Sequence, residues 1–423
     1  MKILVVGSGA REHAIIVKML ESKHKPEIIC APGNGGISRI ARCVNLKVDK
    51  VDNIVNLARD EAVNFVFIGP ENPLAAGLAD KLIAANIKVF GPTINAAKIE
   101  SSKAFAKDLM LKNNIPTAKY FVAKDEKSAV DYIKNNDKYP IVLKADGLAA
   151  GKGVIIANTH DDAILAISTL QKMAPGEIVI EEFIEGPECS VLAFCDGKTV
   201  RPMISAMDFK RVGEGDSGPN TGGMGAVAPN SCYTAEVSKI CAETIFKPTV
   251  KAMSDIGAPF KGCLYFGLML TADGPKVIEY NARFGDPETQ AVLELLDTDL
   301  VDIVNSVIDE KLHEIEIKWS DKTAACVILA SGGYPNEYEI GKKIVGLNEK
   351  GQISDDFIKI FHAGTSFGGD FKTAGGRVLA VTASAENLTT ALNLCYNATL
   401  KINFEGMHYR KDLEKRVAEK ANF

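Results

Sequence analysis

Apolar residues in the first hundred positions fall in short runs separated by longer stretches with helical spacing. Ile3–Val6, Glu27–Cys30, Phe65–Ile68 and Lys88–Phe90 read as strands, and each runs into turn residues: GSG, APGNGG, GPENP and GPT. This alternation of strand and helix predicts a parallel sheet with helices on both faces. Ligands of such sheets gather at the carboxyl ends of the strands, where these four loops meet. The segment Glu100–Asn113 then reads as one amphipathic helix ending before Pro116.

Beyond it the rhythm changes. Short strands are expected at Ile141–Lys144, Val154–Ala157, Ile178–Glu182 and Ser190–Phe194. Residues 208–229, rich in glycine and proline, predict a long loop without regular structure, and loops of that kind are commonly functional. Residues 262–283 read as a hairpin turning at Ala272-Asp273-Gly274-Pro275. Asp286 is expected to cap a long helix with Pro287 at its first position. A third region opens near Thr323, with strands at Ala324–Ala330 and Arg377–Ala383. The fold class is α/β, with α+β character in the central region.

A chain of 423 residues implies two to four domains, and 46% apolar with 24% charged residues suits an ordinary globular core. A net charge of -5 gives no footprint for nucleic acid or for a membrane surface. Nine cysteines without a CxxC pair, and six dispersed histidines, suggest reduced thiols rather than disulfides or zinc. No apolar run approaches a membrane span, and the first residues enter a strand directly, so a cytoplasmic protein is the reading, with the oligomeric state left open between a monomer and an assembly.

Three segments carry candidate chemistry. Gly7-Ser8-Gly9-Ala10-Arg11-Glu12 resembles a dinucleotide fingerprint, but Glu12 replaces the third glycine, and the second strand ends at Cys30-Ala31-Pro32-Gly33 without the acidic residue that holds a ribose. Both departures argue against an NAD-dependent dehydrogenase. A phosphate could still bind at the helix N-terminus, or the turn could simply be tight. Gly147-Leu148-Ala149-Ala150-Gly151-Lys152-Gly153 misses a P-loop by one residue and by the absent Ser or Thr. It suits a glycine-rich hairpin closing over a triphosphate, with Lys103 and Lys144 as point charges, or a plain surface hairpin. In Val277-Ile278-Glu279-Tyr280-Asn281-Ala282-Arg283, alternation puts Glu279, Asn281 and Arg283 on one face. A carboxylate and an amide oxygen are hard donors suited to Mg²⁺, and a guanidinium can hold a transferring phosphoryl group. A solvated strand face is the bland alternative.

Together with VVGSGAREHAI, APGNGG, GPENPLAAGLAD, SSKAFAKDLM, LKADGLAAGKGV, DFKRVGEGDSGPNTGGMGA, EYNARFGDPETQ and GGRVLAVTA, these segments resemble the phosphoribosylamine–glycine ligase family of the ATP-grasp superfamily over essentially the whole chain. The resemblance implies a Rossmann-like domain at 1–102, an ATP-grasp domain at 103–322 with a mobile lid near 117–187, and a C-terminal domain at 323–423. It implies an ATP-dependent ligase of purine biosynthesis that uses Mg²⁺ or Mn²⁺, with glycine and 5-phosphoribosylamine as substrates.

The residue roles it implies are as follows. Lys103, Lys144, Gly147, Gly151, Lys152 and Gly153 face the triphosphate. Glu181 and Ile184 meet adenine through backbone groups, and Glu188 meets the ribose. Glu279 and Asn281 hold the metal, and Arg283 steadies the phosphoryl group. Gly9, Asn34, Gly35 and Gly36 lie against the sugar phosphate, and Asp208 and Asn220 lie near glycine. Many ATP-grasp enzymes carry a further acidic ligand on the strand before Glu279, but Tyr265–Leu270 has none. The competing readings are a related carboxylase or formate-using transformylase and a nucleotide-binding regulatory module.

Overall fold

A computed structural model of the chain describes residues 1–148 and 153–421. The N-terminal sheet is parallel, in the order Arg42–Cys43, Glu27–Pro32, Lys2–Gly7, Phe65–Ile68, Val89–Phe90. Strand Lys2–Gly7 is central and its neighbours follow in opposite directions, so the loops after Gly7, Pro32 and Ile68 open at one switch point. The carboxyl-end loops therefore gather as the hydrophobic pattern predicts.

The segment Glu100–Asn113 is not one helix. Helix Ile94–Ser101 stops at Ser102, which is extended (φ -136°, ψ 111°), and a new helix runs Lys103–Lys112. Ser102 caps it by accepting from the Phe105 amide at 3.1 Å. A second cap comes from far along the chain, because Asp146 accepts from the amides of Lys103 (2.5 Å) and Ala104 (3.1 Å).

Four antiparallel strands, ordered Tyr120–Ala123, Ile178–Glu182, Ile141–Ala145, Val154–Ala157, form the lid, backed by helices Glu126–Lys134 and His160–Met173. The other half of the central region is an antiparallel sheet ordered Val200–Pro202, Glu188–Asp196, Lys261–Thr271, Gly274–Asn281. The C-terminal sheet is ordered Met207–Asp208, Gly225–Ala228, Thr323–Ala330, Arg377–Ala385, Ile358–His362. Residues 208–229 thus differ from the loop expected. Their two ends are strands of the C-terminal sheet, and Arg211–Gly213 pairs with Ser217–Asn220 as a hairpin between them.

The helix after Asp286 is also shorter than expected. Pro287 occupies the cap position, helix Glu288–Glu294 spans only 7 residues, and Asp299 caps a separate helix Leu300–Ile308 by accepting from the Val301 amide at 2.9 Å. Glu288, Thr289, Gln290, Ala291, Val292 and Leu293 are all buried. This short helix is wedged between helix Ala10–Leu20 and the C-terminal sheet, where the three regions meet. Phe284 reinforces the junction, its ring 5.9 Å from Phe67, 6.3 Å from Phe90 and 6.0 Å from Phe194.

Candidate active site

The first glycine loop is shaped by Glu12. Its carboxylate, 1% exposed, accepts from the Gly9 amide at 2.6 Å and pairs with Arg11 at 2.5 Å. A β-carbon at Gly7 would lie 2.5 Å from Glu12 Cγ, and one at Gly69 would collide with the carboxylate. Glu12 therefore fills the space that the third glycine of a dinucleotide fingerprint leaves open, which gives the departure seen in the sequence a physical cause.

The second loop is held from the C-terminal region. The Asn34 amide donates to Ser8 O (2.8 Å) and His362 O (2.6 Å), and its oxygen accepts from the Gly36 and Ile37 amides, both at 2.9 Å. The Gly35 amide donates to Thr365 O at 2.9 Å, and a β-carbon there would lie 2.8 Å from Ser366 C. Gly36 packs against the rings of His362 and His13. The amides of Gly9, Gly35 and Gly36 are thus engaged within the protein, and each glycine has a packing reason of its own. His362 N donates to His13 Nδ1 at 2.8 Å, and burial lowers both imidazole pKa values, that of His362 to about 4.

Lys144 and Lys103, expected at the triphosphate, come from two elements. Lys144 Nζ, on strand Ile141–Ala145, lies 2.8 Å from Glu181 Oε1 and donates to Ile278 O at 2.9 Å. Lys103 Nζ donates to Gly147 O at 2.8 Å, which ties the helix to the first residue of the glycine hairpin. Gly147 needs its φ of +100°, and the Gly153 carbonyl accepts from the Ala145 amide at 2.9 Å. Gly151 and Lys152 lie outside the described residues.

Glu181, expected to act through its backbone, also has a buried side chain whose second oxygen is 2.9 Å from Lys107 Nζ. Lys107 was not foreseen, although its spacing of four from Lys103 puts both on one helix face. Ile184 lies in the half-buried segment that leaves the lid for strand Glu188–Asp196.

Glu279 and Asn281 do face one side of strand Gly274–Asn281, between buried Val277, Tyr280 and Ala282. The cross-strand partner of Glu279 is Gly267, where a β-carbon would lie 2.8 Å from Glu279 Cγ. Room for Glu279 therefore explains a glycine on the strand that lacks a second carboxylate. Lys210 bridges this face to Glu188, lying 2.9 Å from Glu188 and 3.6 Å from Glu279. Lys210 lowers the Glu188 pKa. Burial would raise that of Glu279, but Lys210, Lys144, Arg283 and Lys103 outweigh it and keep the carboxylate ionised.

Arg283 continues the face but turns to the N-terminal region, 3.2 Å from both Glu71 and Glu100. Asp208 Oδ1 is buried and makes no hydrogen bond, and burial and the nearby Glu288 raise its pKa well above the usual range. Gly223, not Asn220, approaches it: a β-carbon there would lie 2.6 Å from Asp208 Oδ1, while Asn220 is exposed opposite Arg211.

Lys210, Glu288 and Arg377 were also missed by sequence reasoning. Arg377 donates to Gly222 O and Asp286 O, both at 2.7 Å, and so joins the glycine-rich segment to the short buried helix. Its place in GGRVLAVTA was the available signal.

Three family profiles of phosphoribosylglycinamide synthetase match the chain: the N domain at residues 1–100, the ATP-grasp (A) domain at 101–289 and the C domain at 324–416. A phosphoribosylamine–glycine ligase of Caldanaerobacter subterraneus subsp. tengcongensis is 45% identical over 98% of this chain and 99% of its own length. One of Halalkalibacterium halodurans is 44% identical over 100% of this chain and 98% of its own. The solved phosphoribosylamine–glycine ligase of Thermotoga maritima is 32% identical, with a TM-score of 0.83 over 97% of this chain and 100% of that one. A biotin carboxylase complex from Campylobacter jejuni, 16% identical with a TM-score of 0.74 over 96% of this chain and 92% of that one, shares the fold alone.

Proposed function

The chain belongs to the phosphoribosylamine–glycine ligase family of ATP-grasp enzymes, and from that premise we propose how its residues carry out the reaction. It is an ATP-dependent carboxylate–amine ligase of de novo purine biosynthesis, joining glycine to 5-phosphoribosylamine to give glycinamide ribonucleotide, ADP and phosphate. The observation that supports the site reading is that Lys103 and Lys144, from two elements, lie close enough to Glu279 to help keep its carboxylate ionised.

In this reading Lys103, Lys144 and the hairpin Gly147, Gly151, Lys152, Gly153 hold the phosphates. Backbone groups of Glu181 and Ile184 take the adenine edge, and Glu188 takes the ribose. Glu279 and Asn281 offer hard oxygens from one face, and Glu279 stays charged, so the pair fits Mg²⁺ or Mn²⁺. Such an ion, when bound, neutralises the phosphate oxygens during transfer.

Asp208 receives the ammonium of glycine. Support comes from its buried, unpaired oxygen, which an incoming positive charge would satisfy. The glycine carboxylate then attacks the γ-phosphorus, Arg283 steadies the phosphoryl group after leaving Glu71 and Glu100, and the amine of phosphoribosylamine displaces phosphate. The sugar phosphate is assigned to the surface formed by Gly9 and Asn34–Gly36, over the N-terminus of helix Ala10–Leu20, where the helix dipole favours an anion. Lid closure keeps water from the glycyl phosphate.

All nine cysteines are free, which suits a cytoplasmic setting. Among the described residues no helix is long and apolar enough to cross a membrane. The test is ADP release with phosphoribosylamine generated in the assay and glycine, formate or bicarbonate supplied in turn. Only glycine is expected to support turnover, and equal rates with formate would overturn the assignment.

A further inference from the structure

The lid is joined to the rest of the chain by two connections, residues 115–119 entering it and 183–187 leaving it. One ammonium links the incoming connection to the strand that precedes the outgoing one. Lys107, on helix Lys103–Lys112, is 2% exposed. Its Nζ donates to Thr117 Oγ1 at 2.8 Å and Ala118 O at 3.4 Å on the incoming connection. It also pairs at 2.9 Å with Glu181, next to last in the strand that leads into the outgoing one.

The same Glu181 carboxylate is 2.8 Å from Lys144 Nζ through its other oxygen. Thr117 passes the contact on by donating to Val277 O at 2.7 Å, while Val277 N donates to Pro116 O at 2.8 Å. Val277 lies two residues before Glu279 on the same strand. The incoming connection also bonds the end of strand Ile178–Glu182, because Glu182 N donates to Lys119 O and Lys119 N donates to Glu182 Oε1, both at 2.9 Å.

An apolar side chain would fill this space without the desolvation that a buried ammonium suffers. The charge therefore calls for a reason beyond packing, and fixing the one carboxylate that also orients Lys144 supplies it. We propose that Lys107 is a positioning residue for ATP: it ties the incoming lid connection to the strand that leads into the outgoing one and, through Glu181, aims Lys144 at the nucleotide. This rests on the ATP-site reading above.

The ionisable groups facing Lys107 are Glu181, Lys144, Glu182 and the ring of Tyr120, whose hydroxyl donates to Asp108. Burial pulls the Lys107 pKa down to about 8, against the opposing pull of Glu181. Lys107 therefore loses its charge in mildly alkaline solution. The unfolded chain keeps that proton to higher pH, so this group adds stability, rather than removing it, as the pH rises above about 8.

The test is initial-rate kinetics for all three substrates, with melting curves, on wild type, Lys107→Met, Lys107→Arg and Lys144→Met from about pH 7 to about pH 9. Lys107→Met is expected to raise the KM for ATP at least about tenfold, with those for glycine and phosphoribosylamine within about twofold. The wild-type KM for ATP should climb above about pH 8 without a fall in melting temperature, and that limb should flatten in Lys107→Arg, which stays charged. An unmoved KM for ATP in Lys107→Met, or equal rises for all three substrates, overturns the proposal. If Lys107→Met does not fold, the pH series decides: parallel limbs in wild type and Lys107→Arg overturn it. An unchanged KM for ATP in Lys144→Met would instead remove the ATP-site reading beneath it.

Discussion

Replacing Asn34 with Asp separates two roles for the APGNGG loop. Aspartate keeps an oxygen for the Gly36 and Ile37 amides at 2.9 Å. It loses both donors, and its second oxygen then faces Ser8 O at 2.8 Å and His362 O at 2.6 Å. Each lost hydrogen bond is worth about 1 kcal/mol net, and a carbonyl left unpaired away from water adds about 1–3 kcal/mol. Ser8 is exposed and can turn to water, so the larger share falls on the His362 carbonyl. The expected loss is about 3 kcal/mol. Urea denaturation gives it as a lowered midpoint with an unchanged slope. Kinetics on the folded fraction should show the KM for phosphoribosylamine rising more than that for ATP, since the loop that moves is the one assigned to the sugar phosphate. A stability loss below about 1 kcal/mol, alongside a raised KM for phosphoribosylamine, would refute the clamp and mean that Asn34 faces the ligand directly.

Glu279→Gln keeps shape and one oxygen but removes the charge that a divalent ion needs. With Gly267 opposite and no carboxylate on Tyr265–Leu270, kcat should fall on the order of 10²-fold while metal-free ATP binding holds. Near-normal single-turnover ADP formation in a folded variant would contradict this. Acid should weaken the junction of the N- and C-terminal regions through His13 and His362. Their folded pKa values lie below the unfolded value, so their stabilisation is complete above about pH 6.5 and is lost as the pH falls through about 4 for His362. Urea midpoints measured down to about pH 4.5 test this, and a His362→Gln variant should show a shallower decline than wild type.

Elements bounded by their own turn residues were legible in the sequence. Phe65–Ile68, Val154–Ala157 and Ile178–Glu182 begin and end where the apolar runs do. Elements set by distant partners were not. Helix Lys103–Lys112 starts where it does partly because Asp146, more than forty residues on, caps it. Residues 207–208 and 225–228 become strands because the C-terminal sheet offers them an edge, and nothing local announces that. The site divides in the same way. Glu279 and Asn281 follow from alternation along one strand, and Glu12 from a broken glycine pattern. Lys107, Lys210 and Arg377 are ordinary cations until folding brings Glu181, Glu188, Glu279 and Asp286 beside them. The loop glycines resembled phosphate ligands but serve close packing as well, because Glu12, His362 and Ser366 occupy the space their side chains would need.

The central claim is that the site of Lys103, Lys144 and Glu279 activates the carboxylate of glycine as an acyl phosphate before the amine attacks. The most direct measurement is the fate of the carboxylate oxygens, using glycine labelled there with heavy oxygen in a reaction with ATP and phosphoribosylamine. Mass analysis of the phosphate released in a single turnover should find one labelled oxygen transferred per molecule, with the other retained in the new amide. Phosphate free of label, formed together with glycinamide ribonucleotide, would mean that no bond forms between the glycine carboxylate and the γ-phosphorus, and would contradict the account.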